Sequence, residues 1–268
     1  MHYYFTRLLY LAVLYSASPT VHSSDNNLPN QVKIVSADFA PYFIYQDDMS
    51  RGLFNEIIVQ TLNALQIEVT EIKPMNNEAI SRVMNANKAD IAINYIGRVP
   101  KYMTTSKHRI NFYNRLLIKD KSIAKRIKSW HDVKDFKIVS FHGATKVFSE
   151  QYEFAMEKNE YYELNDQIAT NRVFHKNKVD IKVGDLLMYL WYQAQKFKQN
   201  PENKPEIYTV DLLDYNGGKV VFRSERLQQA FDEAMRHNLK NGKVKSLSEA
   251  WLKRMNLPLI EHEFITEI

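Results

Sequence analysis

The 268-residue sequence contains no cysteine and only seven glycines. Without cysteine there are no disulfides, and no lipid-modified cysteine to tether the chain to a membrane. So few glycines leave no phosphate-cradling loop, and neither a Gly-x-Ser-x-Gly elbow nor a His-Glu-x-x-His helix occurs. The eight histidines are scattered, and His262, between Glu261 and Glu263, reads as part of a polar tail. Serine and histidine are both plentiful, so a catalytic triad assembled in space stays open, but no local pattern nominates one. No stretch reaches the ~20 apolar residues of a membrane-spanning helix. Basic tracts are missing too: 36 Lys and Arg are interspersed with 31 Asp and Glu for a net charge of +5, which does not point to nucleic acid. No cofactor and no metal site is expected.

What is present begins with an apolar leader. Met1–Arg7 carries one cation, Leu8–Ala17 is a short apolar run, and Val21-His22-Ser23 suits a cleavage site. This layout predicts a secretory signal peptide over residues 1–23, with an uncleaved anchor helix as the alternative. Removal of that segment takes away only Arg7 and leaves a net charge of +4. An exported, cysteine-free chain is expected to diffuse freely in a bacterial periplasm as a monomer.

Two phrases recur in the same order. Lys33-Ile34-Val35-Ser36 returns as Lys137-Ile138-Val139-Ser140, and Asn87-Lys88-Ala89-Asp90-Ile91 as Asn177-Lys178-Val179-Asp180-Ile181. Each copy pairs a β-branched strand with a second strand entered through a helix and an aspartate. The repetition predicts two similar α/β halves facing across a cleft.

The rest of the pattern agrees. Val32–Ser36, Ile67–Ile72 and Asp90–Tyr95 read as strands, separated by helical stripes over Leu53–Leu65 and Asn76–Ala86. That alternation is the mark of a parallel sheet with covering helices. In the second half, Phe136–Phe141 and Val179–Val183 are strands. Helices are expected from Gly143 to about Lys158, over Asp166–Lys176 and over Leu186–Gln195. Val220–Phe222 is a further strand, followed by helices ending near Gly242 and at Met255. Two strand-like crossings, near Arg115–Lys119 and Tyr208–Leu213, would serve as a hinge. Residues 31–116 with 214–259 are expected to form one lobe, and 117–213 the other.

At residues 31–255 the chain resembles bacterial extracellular solute-binding proteins of family 3. The resemblance rests on ordered features: the aromatic-proline loop Asp38–Tyr42, the helix start Gly52-Leu53-Phe54-Asn55-Glu56, and Met84–Ile93. It continues through the lobe-two entry Trp130–Val133, the corner Gly143-Ala144-Thr145, the strand end Val183-Gly184-Asp185, and Phe222-Arg223 to Trp251. It implies a type II periplasmic-binding-protein-like fold: two lobes, each a mixed or parallel sheet flanked by helices, joined by two hinge crossings. It also implies capture of a small polar solute, an amino acid or relative, for an ABC transporter permease or a membrane sensor.

In the family an arginine of lobe one grips the ligand carboxylate as a bidentate pair, and an aspartate of lobe two takes its ammonium. Asp185 matches that aspartate, and a cap on the following helix is an equal or concurrent role. Thr145, with the N–H groups near Gly143, is the lobe-two carboxylate candidate, against an ordinary helix start. The family's Thr-Pro-Glu-Arg stands here as Val99-Pro100-Lys101-Tyr102, so the arginine is lost; Arg98 is the preferred anion contact, with Lys101 as its rival. Tyr42 and Tyr95 are candidate ligand walls and Asp38 a candidate polar contact, each weighed against plain packing or turn roles. These departures argue against a plain α-amino acid ligand.

Two alternatives share the fold. One is an enzyme of the periplasmic cyclohexadienyl dehydratase kind, in which Glu56 or Asp185 would be a general acid. The other is an accessory sensor domain for a membrane partner.

Overall fold

The computed structural model describes residues 28–268 apart from 47–48, 51, 166 and 214–216; the signal-peptide expectation and the Asp166 helix start lie outside the described residues. The first half runs β1 (Gln31–Ser36), a small hairpin of β2 (Tyr45–Gln46) and β3 (Met49–Ser50), α1 (Leu53–Ala64), β4 (Glu68–Pro74), α2 (Asn77–Asn85), β5 (Ile91–Tyr95) and β6 (Thr104–Ile110). The second runs β7 (Asn114–Ile118), α3 (Lys121–Arg126), β8 (Lys137–Phe141), α4 (Ala144–Val147), α5 (Glu150–Glu157), β9 (Glu160–Leu164), α6 (Gln167–His175), β10 (Ile181–Asp185), α7 (Leu186–Lys196) and β11 (Tyr208–Val210). The chain then returns through β12 (Gly218–Phe222), α8 (Glu225–Lys240), α9 (Lys243–Arg254) and β13 (Ile265–Glu267).

Two main sheets result, and their orders mirror each other. In the first, β4, β1 and β5 are parallel, and β12 and β6 follow antiparallel. In the second, β9, β8 and β10 are parallel, and β7 and β11 follow antiparallel. β13 extends the first sheet along β6.

The recurring phrases explain this equivalence atom by atom. Asn87 and Asn177 both take left-handed backbone angles, φ 58° and 53°, and turn the chain out of α2 and α6. Asp90 then accepts a hydrogen bond from Lys33 N–H at 2.8 Å, and Asp180 one from Lys137 N–H at 2.9 Å. Each aspartate also donates its own N–H to the carbonyl of the same lysine at 2.9 Å. The ring of bonds sets the parallel register, Ile34 opposite Ile91 and Ile138 opposite Ile181. Even the flanking ion pair repeats: Lys33–Glu71 at 4.0 Å and Lys137–Glu160 at 3.1 Å.

Several expected boundaries move. The Arg115–Lys119 crossing is largely β7, paired in the second sheet, and Tyr208–Leu213 opens with β11 on its outer edge. The chain therefore passes between the sheets after Ile110 and again after Val210, and the strand that opens the second sheet begins at Asn114. The single helix expected from Gly143 is two, because Ser149 is extended at φ −66°, ψ 161° and caps α5 through Tyr152 N–H. The 260–268 tail returns as β13 instead of trailing. His262 is not in a free polar tail: its ring packs 4.7 Å from Tyr113 and 4.8 Å from Phe264, and it donates to Asn111 O at 3.1 Å.

Each sheet is covered on both faces. Val32, Ile34, Ile91 and Ile93 face α1, α8 and α9 with Phe54, Phe231 and Trp251, whereas Val35 and Ala92 face α2 with Ile80 and Met84. In the second sheet Ile181 and Val183 pack toward Tyr152 and Met156 of α5, and Leu117 and Val139 pack toward Phe174 and Tyr189 of α6 and α7.

Candidate functional site

In open α/β sheets, ligands gather where parallel strands end at their carboxyl termini. Here those ends are Ser36, Pro74 and Tyr95 in the first half, and Phe141, Leu164 and Asp185 in the second. Asp185 lies where the halves touch, just before the α7 residues Leu187, Met188 and Trp191 that pack against the first half's core. Tyr42, in the loop after β1, donates its hydroxyl to Asp185 Oδ2 at 2.7 Å, and Tyr113 N–H, in the first crossing, donates to the same oxygen at 2.6 Å. Oδ1 accepts Met188 N–H at 2.7 Å and so caps α7. The residue is 3% exposed. Burial raises its pKa, against the hydrogen bonds and the nearby Lys182 ammonium, which lower it. The capping role is present.

Lys182 was not among the expected site residues. It pairs in register with Leu117 and Val139 and is 2% exposed among apolar neighbours. A Cβ at Gly184 would lie 3.0 Å from its Nζ, so glycine there leaves the room that the ammonium uses. Burial lowers its pKa to about 8, with Asp185 acting in the opposite direction.

The Thr145 cradle is real but taken. Gly143 N–H donates to Glu163 Oε2 at 2.6 Å, and Thr145 donates its N–H at 3.1 Å and its hydroxyl at 3.2 Å to Oε1. Tyr161 adds its hydroxyl at 2.7 Å. Burial pushes the Glu163 carboxyl up, but these four donors outweigh it and hold the pKa below the ordinary value. A protein carboxylate thus occupies the donors that the resemblance assigns to a ligand carboxylate. Sequence reasoning missed Glu163 because it missed β9, although Tyr161-Tyr162 is a strand signal.

The remaining candidates scatter. Tyr42 is fully buried, stacked 4.7 Å over Phe54 and edge-on to Phe112 at 5.0 Å, so it is a core residue with a polar tip rather than an open wall. Tyr95 is buried against α2 with Ile80 and Met84. A bulge puts it there: Lys219 faces Tyr95 and Val220 faces Ile93, so Asn94, at φ 65°, is the extra residue that resets the alternation. Arg98 and Asp38 are exposed, and Arg98 makes no ion pair among the described residues. Tyr102, at the lost arginine position, is 60% exposed and bonds Asn85 at 2.8 Å. Glu56 is gripped by Arg254 at 2.6 and 2.7 Å, a clip between α1 and α9.

Two cavities stand out, and none of the six expected contacts lines either. One of about 1170 Å³ lies between the crossings, α9 and the C-terminal segment; the other, of about 710 Å³, lies beside α5. Among the described residues, no group of three or more His, Asp or Glu could hold a metal ion, and no helix is long and apolar enough to cross a membrane.

Two sheets of mirrored order, joined by two short links, define a two-lobed α/β fold. Solved structures share that fold. An ancestral cationic amino acid solute-binding protein superposes with a TM-score of 0.65 at 19% identity, over 83% of this chain and 95% of its own. The ligand-binding core of GluR0 in complex with L-glutamate gives 0.61 at 19%, over 85% and 99%. The unliganded, open L-cystine solute receptor of Neisseria gonorrhoeae gives 0.59 at 18%, over 82% and 92%. No family model and no curated protein matches the sequence.

Proposed function

We propose that this chain is an exported solute-binding protein of the family 3 kind, which closes two halves over one small polar solute. It would pass the solute to an ABC-type permease or present it to a membrane sensor. The mirrored sheets, between which the chain passes after Ile110 and again after Val210, carry the reading, because rotation about a few link residues can open and close strand ends on each other. Residues 1–23 would be the export leader and the periplasm the place of action.

The solute brings no carboxylate to the second half. Glu163 already fills the Gly143 and Thr145 donors, and an incoming carboxylate would meet a like charge there. Asp185 has its oxygens engaged, and the bidentate arginine is replaced by Tyr102. An amine or neutral polar head suits this arrangement better than an α-amino acid.

Matched pairs test the reading: arginine against agmatine, lysine against cadaverine, ornithine against putrescine, each by thermal shift and calorimetry. A ligand at a hundred times its Kd stabilises by roughly 2.7 kcal/mol, a shift of several degrees. The decarboxylated member of at least one pair should produce it. Stabilisation by the amino acids alone would overturn the ligand class, and turnover of prephenate or arogenate would overturn the binding role in favour of an enzyme.

A further inference from the structure

The 710 Å³ groove lies apart from the strand ends, between the 3-10 turn Trp130–Val133 and α5. Its volume falls within the ~300–1,000 Å³ of small-ligand pockets. Its charge is of one sign. Lys128, His131, Lys134 and Lys158 line it, and no Asp or Glu does.

The sequence builds that asymmetry. On α5, Gln151, Phe154, Ala155 and the C-cap Lys158 fall at spacings of three and four and share one stripe, while Glu150, Glu153 and Glu157 fall off it. Asp132, the acid of the turn, is spent on its own capping box: it accepts the N–H groups of Lys128 and Ser129 at 2.9 and 2.8 Å and the Ser129 hydroxyl at 2.9 Å. The lysines that pair with acids among the described residues are Lys33, Lys137 and Lys245, none of them in the groove.

Two rings complete the lining. Phe154 is 59% exposed with the Lys158 ammonium 3.4 Å from its centroid, and Trp130 is braced edge-on against Tyr152 at 5.3 Å. One exposed ring and one half-buried ring beside ammonium groups that pair with no acid among the described residues suit a flat ligand with an acid group: the ring covers apolar surface while the acid meets the cations. We propose that this groove is a second binding site, independent of the strand ends, for a small aromatic anion.

The test titrates purified protein with 1-naphthoate and, as the same ring with opposite charge, 1-naphthylmethylammonium, both followed by calorimetry. Naphthoate should bind saturably and roughly ten-fold or more tighter than the amine. Lys134→Glu and Lys158→Glu should each weaken naphthoate by about three- to ten-fold, and Phe154→Ala by about five-fold. The Lys134→Glu melt should match the parent, since Lys134 is exposed, whereas Lys158→Glu should melt slightly lower because it loses the Phe154 contact and places an acid at the C-terminus of α5. Absence of saturable naphthoate binding, equal affinity for both probes, or unchanged affinity in well-folded charge variants would each overturn the site.

Discussion

The two halves share a strand order and a set of register-fixing bonds, yet they treat polar groups in opposite ways. Lined up on Asp90 and Asp180, Ala92 corresponds to Lys182, Tyr95 to Asp185 and Asn85 to His175. Pro74 opposite Ser36 corresponds to Glu163 opposite Ser140. The first half fills these places with apolar or neutral groups, and around Tyr42 it gathers Phe43, Phe54, Phe112 and Phe264. The second places an amine, two carboxylates and an imidazole there. One scaffold made twice therefore differs at these matched places: the first half packs them and the second makes them titratable, while the first half's own buried pair, His108 and Asp232 at 3.3 Å, lies elsewhere, between β6 and α8.

The sharpest way to break this contrast is to give the second half an apolar residue at 182. Lys182→Met should raise stability at pH 7 by about 1–3 kcal/mol, because a buried ammonium among apolar groups costs more than its partner returns. The sign also shows in pH. The folded amine titrates near 8 and its free counterpart near 10.5, so the unfolded chain holds more protons between those values. Parent stability should thus climb from pH 8 to 10.5, and the variant should lose that rise. Urea unfolding at pH 7 and pH 9.5 measures both; a destabilised variant would mean that the ammonium is well compensated.

Severing the contact between halves comes next. Tyr42→Phe removes one donor from the buried Asp185 carboxylate and should cost roughly 1.5–2.5 kcal/mol by the same assay. A loss under a few tenths would show that Tyr113 and Met188 suffice.

Glu163→Gln takes the charge from the Gly143 and Thr145 donors and should cost roughly 0.5–1.5 kcal/mol at neutral pH. With the carboxyl held below its ordinary 4.5, its contribution is full above that value and fades as pH falls through the folded pKa. The variant should lose that part of the acid slope, and amino acids should gain affinity relative to their amines. No change in that preference would detach Glu163 from ligand choice.

The smallest effect at neutral pH concerns His175, held neutral by burial and by Lys196 and Lys119, with its pKa lowered from 6.5 to about 4. The unfolded imidazole takes a proton first, so stability should fall as pH drops from about 6.5 to 4. His175→Asn, the first-half residue, should flatten melting temperature across that window. An unchanged slope would place the titration elsewhere.

Much of the architecture was legible in one sequence because it rests on local chemistry. Asn87 and Asn177 had to turn the chain, Asp90 and Asp180 had to reach a backbone amide, and Lys33 and Lys137 mark the strands they reach. The site was less legible. Asp185 announced itself through Val183-Gly184-Asp185, but its satisfaction by Tyr42, 143 residues away, did not. Glu163 stayed hidden because two of its four donors are backbone N–H groups, which every residue but proline carries, and the other two reach it only once β9 forms. Tyr95 misled because one left-handed residue, Asn94, flips the alternation that sequence reading assumes.

By itself the sequence determined that this chain is two α/β halves with matching strand entries, since turn, cap and strand preferences act over a few residues. Only the tertiary structure decided which charges are spent. A carboxylate is an open contact or a filled one according to donors that arrive from distant strands, and the balance of those donors against burial sets its proton affinity.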